Sequence, residues 1–547
     1  MSSEKFKHLI MIEFELKFEV SPAALTGVNA AMRQGKLTRQ RLQASYFDTA
    51  DGMLAQHGIV VRLRKEGRRW VQTAKAPTAD LLARLEHNAA VALPAARTVP
   101  TPDLSRHRGT PVGDAIDKAL GRTADQTCPE LYLLYGTDIK RVTTCIAVND
   151  SLIELALDQG RVFSGGYSQA VCELEVELKQ GLPIDAAALA RQWCNAHSLW
   201  LSTIAKSMKG QRLGRAVPFG PATPAASPDY SKQATGHEMV TAVVALCLAQ
   251  VLPNMSEVAS GSQQSDHVHQ LRVGIRRLRT ALTELGDLAD AAAVIDPQWK
   301  GALIHVFRAL GAHRDLSNQV TVLQPQMLAA GGPDLHNDAA DTDAAKSPMV
   351  DISQRAEIGI SQRAEIDISQ SADVQSLADL ESLADLGELV RAPDFQDALL
   401  GLIAFVQYRC PSPTHASNSL IKTMSRRLNK LYKSAMRDGK RFLSLAPEQQ
   451  HDVRKRLKRL RYLIEFAAPL FAARKVQHMT AALKPVQNAL GLYNDELMAL
   501  QTWRTSAELD PKAWFGVGWL AARQQPNAER CFKEIRKFAH IKPFWRN

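Results

Sequence analysis

Nothing in this sequence pairs its cysteines. The seven of them are scattered and odd in number, and no CxxC occurs. That pattern argues against a disulfide framework and against a zinc site, and it points to a reducing compartment. Long apolar runs are missing too. No stretch approaches the ~18 uninterrupted apolar residues of a membrane span, and the early run "HLIMI" is too short for a signal-peptide core. The reading is a cytosolic chain with no membrane partner. Acid is in deficit: the net charge is +11 and the pI about 9.3. A basic excess suggests a polyanionic partner, whether nucleic acid, anionic lipid or polyphosphate. At 547 residues the chain is too long for one core, so two or three domains are expected.

Periodicity divides the chain. Residues 1–215 alternate short β-like runs with turns, among them "IEFELKFEV", "ASYFDTAD", "GIVVRLRKE", "RRWVQTAKA", "DSLIELALDQG" and "AVCELEVELKQG". Period-two patterning indicates an antiparallel sheet or barrel. "TPDLSRHRGTPVGD" reads as a Pro/Gly-rich loop, and "DAAALARQWCNAHSL" as a helix. Residues 216–236 are rich in Pro, Ala, Ser and Gly and read as a linker. From 237 to 547 the period becomes helical. Within that region, 326–392 contains the tandem copies "ISQRAEI" and "SLADL" and reads as a disordered insertion.

A longer repeat also lies there. "HQLRVGIRRLRTAL" at 269–282 aligns without gaps with "HDVRKRLKRLRYLI" at 451–464, and "LGAHRD" at 310–315 matches "LGLYND" at 490–495. Two motifs in the same order at nearly the same offset imply two related helical halves.

The strands carry an unusual face. Glu13, Glu15 and Lys17 are spaced by two, as are Arg62 and Arg64, Thr73 and Lys75, and Glu173, Glu175 and Glu177, while Glu154 and Asp158 share a face. A polar face on an antiparallel sheet is ordinarily solvated. Here the faces are almost wholly charged, and the signs segregate between strands. A closed barrel with a charged lumen accounts for this better. Clustered carboxylates suit Mg²⁺ or Mn²⁺, cations suit phosphate oxygens, and together they suit phosphoryl transfer to water.

"EFELKF" resembles the ExExK signature of the CYTH superfamily, the triphosphate tunnel metalloenzymes. The resemblance runs over about residues 10–213, through "SYFDTAD", "VVRLRKEG", "QTAK", "TDIKRV", "IELALDQG", "CELEVEL" and "IAKSMKG". It implies an eight-stranded antiparallel tunnel barrel. It also implies that Glu13, Glu15, Asp158, Glu173 and Glu175 hold Mg²⁺ or Mn²⁺. Lys17, Arg62, Arg64, Lys75, Arg141 and Lys206 would bind the phosphate chain. Arg84 and Glu86 fall on another charged strand of that pattern.

On a helix at ~100° per residue, His269, Arg272, Arg276 and Arg279 form one stripe opposite Leu271, Ile275, Leu278 and Leu282. His451, Arg454, Lys458 and Arg461 do the same opposite Val453, Leu457, Leu460 and Ile464, with Lys455 at the border. Solvated helix faces usually interleave opposite charges, because like charges at i,i+4 repel. Almost carboxylate-free rows in both halves therefore suggest a polyanion. Apart from Tyr462 they lack the aromatics that single-stranded nucleic acid needs, which favours a bare phosphate chain over sequence-specific nucleic acid.

This half resembles the CHAD domain, the conserved-histidine α-helical domain, over roughly 237–535 less the insertion. The resemblance implies a pair of four-helix bundles and binding of long-chain inorganic polyphosphate in a basic groove. It assigns that role to His269, Arg272, Arg276, Arg279, His451, Arg454, Lys455, Lys458 and Arg461. His313 and Arg314 in "LGAHRD" join them, although the second copy has Tyr493 and Asn494 there. Arg426 and Lys430, with Lys422 and Lys433, lie on a further basic helix.

The expected fold is thus α+β in two domains: a tunnel barrel at 1–215 and an all-α part at 237–547. The expected activity is metal-dependent hydrolysis of inorganic tripolyphosphate to diphosphate and phosphate. The rivals are a thiamine or nucleoside triphosphatase, and a non-catalytic polyphosphate-binding protein associated with polyphosphate granules.

Overall fold

The computed structural model describes residues 12–67, 69–78, 80–92, 100–123, 127–290, 293, 295–335, 385–408 and 417–546. These fall into two compact units, Met1–Leu310 with Asp385–Lys422, and Gly311–Ala384 with Thr423–Asn547. The first unit joins the β-rich part to the first helical repeat; the second holds the other repeat.

Eight antiparallel strands close into a barrel. They are β1 (Ile12–Glu19), β2 (Thr38–Asp48), β3 (Val60–Glu66), β4 (Arg69–Pro77), β5 (Ala83–Val91), β6 (Tyr132–Val148), β7 (Ser151–Ser164) and β8 (Tyr167–Gln180). The order around the barrel is β5-β4-β3-β2-β6-β7-β8-β1, and β1 returns to β5 through Ile12–Leu85, Glu13–Arg84 and Phe14–Ala83. A two-residue strand, β9 (Trp200–Leu201), adds to β1 at Phe18 and Glu19.

Alternation puts Phe14, Leu16 and Phe18 on the outside of the barrel wall, buried. Helices α1 (Pro22–Met32), α2 (Met53–Gln56), α3 (Pro111–Ala119) and α4 (Pro183–His197) lie outside the strands. The 101–114 stretch is not only a loop. Leu104–His107 is a 3-10 turn, and α3 starts at Pro111, where the Thr110 hydroxyl accepts from Gly113 N at 3.1 Å. Leu104, Val112 and Ile116 close an apolar cluster with Leu54, Ile59, Val61, Ala74 and Ala76. His107 is fully buried between Gln72 and His87, each 2.9 Å away, and burial lowers its pKa to about 4.

Helix α5 (Lys206–Gly214) lies on β6, β7 and β8. Gly210 makes this approach possible, since a Cβ there would stand 2.1 Å from the Tyr135 ring. The linker then runs without regular structure but is pinned. Thr223 N donates to Asn254 Oδ1 at 3.1 Å, Asn254 Nδ2 donates to Thr223 O at 2.9 Å, and Arg277 reaches Ala226 O at 3.1 Å.

The helical part follows as α6 (Gly236–Ala259), α7 (Ser265–Glu284), α8 (Pro297–Asn318), α9 (Gln324–Ala329), α10 (Leu386–Arg391), α11 (Pro393–Gln407), α12 (Ser417–Gly439), α13 (Pro447–Phe466), α14 (Ala473–Ser506) and α15 (Ala513–Ala539). The two repeat copies fall on α7 and α13, each of 20 residues. Thr235 and Glu238 cap α6 reciprocally. By length and composition α6 could cross a membrane, with a window of mean hydropathy 1.7. In this fold it is a core helix, and its Gln250, Asn254, Ser256 and Glu257 are buried with polar partners. The tandem duplications expected within a disordered insertion lie outside the described residues, except that the second "SLADL" copy ends at Asp385 and Leu386, which cap and start α10; the other margin of the 326–392 stretch contributes to α9.

Candidate functional site in the barrel lumen

The strand pattern delivers its charged face inward. A cavity of about 830 Å³ is lined by Glu13, Glu15 and Lys17 of β1, Arg62 and Arg64 of β3, and Lys75 of β4. Glu86 of β5, Arg141 of β6, Asp158 of β7, Glu173 and Glu175 of β8, and Lys206 of α5 complete the charged lining. Every lumen residue expected from the sequence therefore faces one space, but they form two groups.

The first group centres on three carboxylates. One oxygen each from Asp158, Glu173 and Glu175 lies within 4.8 Å of the others. The ladder fixes them, because Asp158 stands opposite Glu173 and beside Arg141 on the neighbouring strands. Arg141 donates Nε to Asp158 Oδ1 and Nη2 to Asp158 Oδ2, both at 2.6 Å, and Nη2 also reaches Glu175. The Lys206 ammonium lies 2.7 Å from Asp158 and 2.6 Å from Glu175, and it also pairs with Glu173. Burial alone would raise Glu173 and Glu175. The cations reverse that: Lys206, Lys17 and Lys209 hold Glu173 low, while Arg141 and Lys206 hold Glu175 well below the usual carboxylate range. Burial likewise disfavours charge on Lys206 and Arg141, yet the surrounding carboxylates lift both well above their ordinary values.

The second group is poorer in cations. Lys75 pairs with Glu13 and, at 2.9 Å, with Glu86. Burial raises Glu13, with Glu15 and Glu86 adding to the effect against the opposing pull of Lys75. Burial and then Glu175 raise Glu15. Glu13 and Glu15 are not members of the three-carboxylate cluster, although the sequence grouped all five acids together. Lys17 lines the same cavity and is engaged by the protein itself. Its ammonium donates to Ile204 O and lies 3.9 Å from Glu173, and burial lowers its pKa. Arg62 has its Nε buried and unpaired among the described residues, while Arg64 Nε donates to Glu66 at 2.6 Å.

Sequence reasoning missed Lys209 and gave Glu86 no role. Lys209 lies 2.7 Å from Glu19 and 3.4 Å from Glu173. Its signal was its place one turn after Lys206 on the same helix face. Glu86, noted only as part of a charged strand, completes the Lys75 pairing.

The lumen suits a divalent cation. It offers hard oxygen donors in close approach, and the raised Glu13 and Glu15 show that burial leaves two carboxyls under-compensated.

The basic rows also take shape. On α7, Leu271, Ile275, Leu278 and Leu282 are buried, His269 is exposed, and Arg272, Arg276 and Arg279 are half-buried. Arg272 and Arg279 place their guanidinium groups 4.8 and 5.0 Å from the Phe307 ring centre. On α13, Val453, Leu457, Leu460 and Ile464 are buried. This second row is less bare of acid than its sequence suggested. Arg454 lies 3.8 Å from Asp495, Lys455 lies 3.6 Å from Asp452, and Arg461 lies 2.7 Å from Glu465. The acids come from an adjacent turn of the same helix or from α14, which a single stripe does not reveal. His451 bonds Asn494 at 2.7 Å, and Tyr462 is buried rather than part of the row. Arg314 and His313 of α8 are half-buried, and burial lowers His313. Arg426 and Lys430 of α12 are exposed, and Lys458 of α13 is half-buried.

A closed antiparallel barrel lined in this way, followed by a duplicated helical part with basic rows, defines a two-domain protein of known families. Residues 11–209 match the CYTH domain and residues 242–504 match the CHAD domain, so this chain is a CYTH–CHAD protein. An inorganic triphosphatase of Haemophilus influenzae is 26% identical over 216 residues, which are 38% of this chain and 56% of that protein. The chain thus spans about half the length of that curated relative. Among solved structures, the CHAD domain of Ricinus communis is 20% identical, with 59% of this chain and 98% of that one covered at a TM-score of 0.43. A Hippeastrum protein named for adenylyl cyclase and described as having a dominant triphosphatase activity is 18% identical, with 38% and 96% covered at a TM-score of 0.27.

Proposed function

We propose that the barrel hydrolyses inorganic tripolyphosphate to diphosphate and phosphate with a divalent cation, and that the helical part binds long-chain inorganic polyphosphate. The observation that carries the first half is the composition of the cavity: two groups of carboxylates and at least four cations face one another across a single lumen. Among the described residues Tyr46 is the one aromatic in that lining, and it is stacked on Tyr135 with ring centres 4.7 Å apart. A nucleobase or thiamine ring has little to stack on here, whereas a bare phosphate chain needs only charge and donors. The triphosphatase name of the Haemophilus influenzae relative agrees with this reading.

As the structure stands the lumen neutralises itself. Arg141 and Lys206 are paired with the carboxylates of Asp158, Glu173 and Glu175. These three carboxylates, with Glu13 and Glu15, would hold Mg²⁺ or Mn²⁺. Such an ion neutralises phosphate oxygens and activates water. With those carboxylates engaged by a cation, Arg141, Lys206 and Lys75 would be available to phosphate oxygens, and Arg62 has a buried Nε without a partner among the described residues. The cations hold the chain and stabilise charge that develops on the oxygen leaving the broken P–O bond. Water supplies the hydroxyl that ends on the released phosphate, and its proton goes to solvent or to the leaving diphosphate.

The test is phosphate release from tripolyphosphate, ATP, thiamine triphosphate and long-chain polyphosphate with Mg²⁺ or Mn²⁺. Tripolyphosphate should have the highest kcat/KM. A clear preference for thiamine triphosphate or ATP would assign the tunnel to an organic triphosphate instead. No release from any of the four would leave a binding protein.

A further inference from the structure

The six residues that precede Lys206 are held from both sides. Leu201, Ser202, Thr203 and Ala205 line the lumen beside Lys206. Toward the barrel, Ser202 N donates to Lys17 O at 2.8 Å, and the Lys17 ammonium donates to Ile204 O. Toward the helices, the backbone amides of the alternate residues find side chains. Leu201 N donates to Gln396 Oε1 of α11 at 2.8 Å, and Thr203 N donates to Ser256 Oγ of α6 at 2.9 Å. The Arg391 guanidinium of α10 lies 4.8 Å from the Trp200 ring centre. This is the two-residue alternation of an extended chain, with one edge on the barrel and the other on the helical repeat.

Both acceptors are themselves fixed. Gln396 is fully buried and donates Nε2 to Val390 O at 2.6 Å, which leaves Oε1 for Leu201. Ser256 is 1% exposed and donates to Leu252 O at 2.7 Å, which leaves its lone pairs for Thr203. Removing either acceptor strands a buried N–H and loosens the segment. Three residues beyond Thr203 sits an ammonium held within 2.7 Å of two carboxylates.

We propose that Ser256 and Gln396, although on the helical repeat, are positioning residues for phosphate hydrolysis in the barrel: they set where Lys206 stands. The proposal rests on the hydrolase reading above. A merely adhesive role is separable, because other contacts join the same surfaces away from the segment. Arg191 makes a two-pronged pair with Asp397 at 2.5 and 2.6 Å, for example.

The experiment uses the full chain and measures kcat and KM for tripolyphosphate with Mg²⁺, well below each variant's melting temperature. Ser256→Ala and Gln396→Ala should each lower kcat/KM about tenfold, since misplacement of a binding group by ~1 Å can cost ~10²-fold. Ser256→Thr, which keeps the acceptor, should restore it. Ser256→Cys keeps the shape and weakens the acceptor, and it reads the same loss if the alanine variant does not fold. Arg191→Ala should lower the melting temperature without changing kcat/KM. Unchanged kcat/KM in the Ser256 and Gln396 variants, or no recovery with threonine, overturns this proposal and leaves the hydrolase reading intact. An inactive wild-type chain overturns both.

Discussion

Glu13 and Glu15 stand two residues apart on β1, and although burial pushes them and their neighbours on β8 upward alike, the cations reverse the outcome only on β8. Both start from an ordinary value of 4.5 and are raised, whereas Glu173 and Glu175 are lowered by the cations around them. The lowered pair stabilises the fold at and above the ordinary carboxylate range and loses that contribution as pH falls below it toward the lowered values. The raised pair does the reverse: its contribution is complete below 4.5 and is lost as pH climbs toward the raised values. Metal-free protein should therefore lose melting temperature as pH rises from about 4.5 to about 8. The double variant Glu13→Gln with Glu15→Gln should flatten that slope, because the amides never acquire the buried charge. Its metal-dependent phosphate release should fall by about three orders of magnitude, since the charge that would hold the cation is gone. Melting curves between about pH 5 and 9 and a phosphate-release assay decide it. Wild-type turnover in the double variant would remove both residues from the site.

Elements show which parts of this protein were legible in advance. β1, β3, β4, β7, β8 and α4 fall on the quoted runs, because each writes its burial into a local period: Phe14, Leu16 and Phe18 outward, Glu13, Glu15 and Lys17 inward. The repeat predicted α7 and α13 for the same reason. The pieces that escaped are fixed by distant partners. β9 is two residues long and exists because β1 offers an edge at Phe18 and Glu19. The linker lies where it does because Arg277 and Asn254 hold its backbone. The division of the acids into two groups depends on which cation each meets, and strand spacing is silent on that. Helix α5 was equally hidden, since its docking turns on the absence of a side chain. A methyl at Gly210 would collide with the Tyr135 ring, which is itself buried and stacked on Tyr46. Gly210→Ala should cost about 1–3 kcal/mol by overpacking. It should also lower kcat/KM for tripolyphosphate, because α5 carries Lys206 and Lys209. Urea unfolding together with steady-state kinetics checks this. A variant of wild-type stability would mean that Tyr135 yields and the packing there is slack.

At the scale of the whole molecule, the excess of +11 has to be set against a lumen that nearly balances itself, so much of the uncompensated charge lies elsewhere. The rows on α7 and α13 are the places where it is ordered. Each is backed by a fully buried apolar stripe, so neither row can turn inward to relieve repulsion. The rows differ in what they meet. Phe307 lies under Arg272 and Arg279 in the first, while Asp495, Asp452 and Glu465 temper the second. A polyphosphate chain lying on either row would release counterions. The full chain should therefore bind long-chain polyphosphate with affinity that falls steeply as salt rises. Arg272→Ala with Arg276→Ala should weaken binding and flatten the salt slope by about two units, one for each cation removed from the phosphate chain. Arg454→Ala with Lys458→Ala should have a smaller effect, because Arg454 already has a carboxylate neighbour. Binding should tighten as pH falls, in a window below the ordinary histidine value of 6.5, because burial lowers both His313 and His451 and a polyanion favours their charged forms. Single-stranded DNA should compete poorly, since the Phe307 ring is already covered by two guanidinium groups and Tyr462 is buried. Titration calorimetry across salt and pH, with single-stranded DNA as competitor, measures all of these. Equal affinity for DNA, or full affinity in both double variants, would reduce the rows to solvated surface.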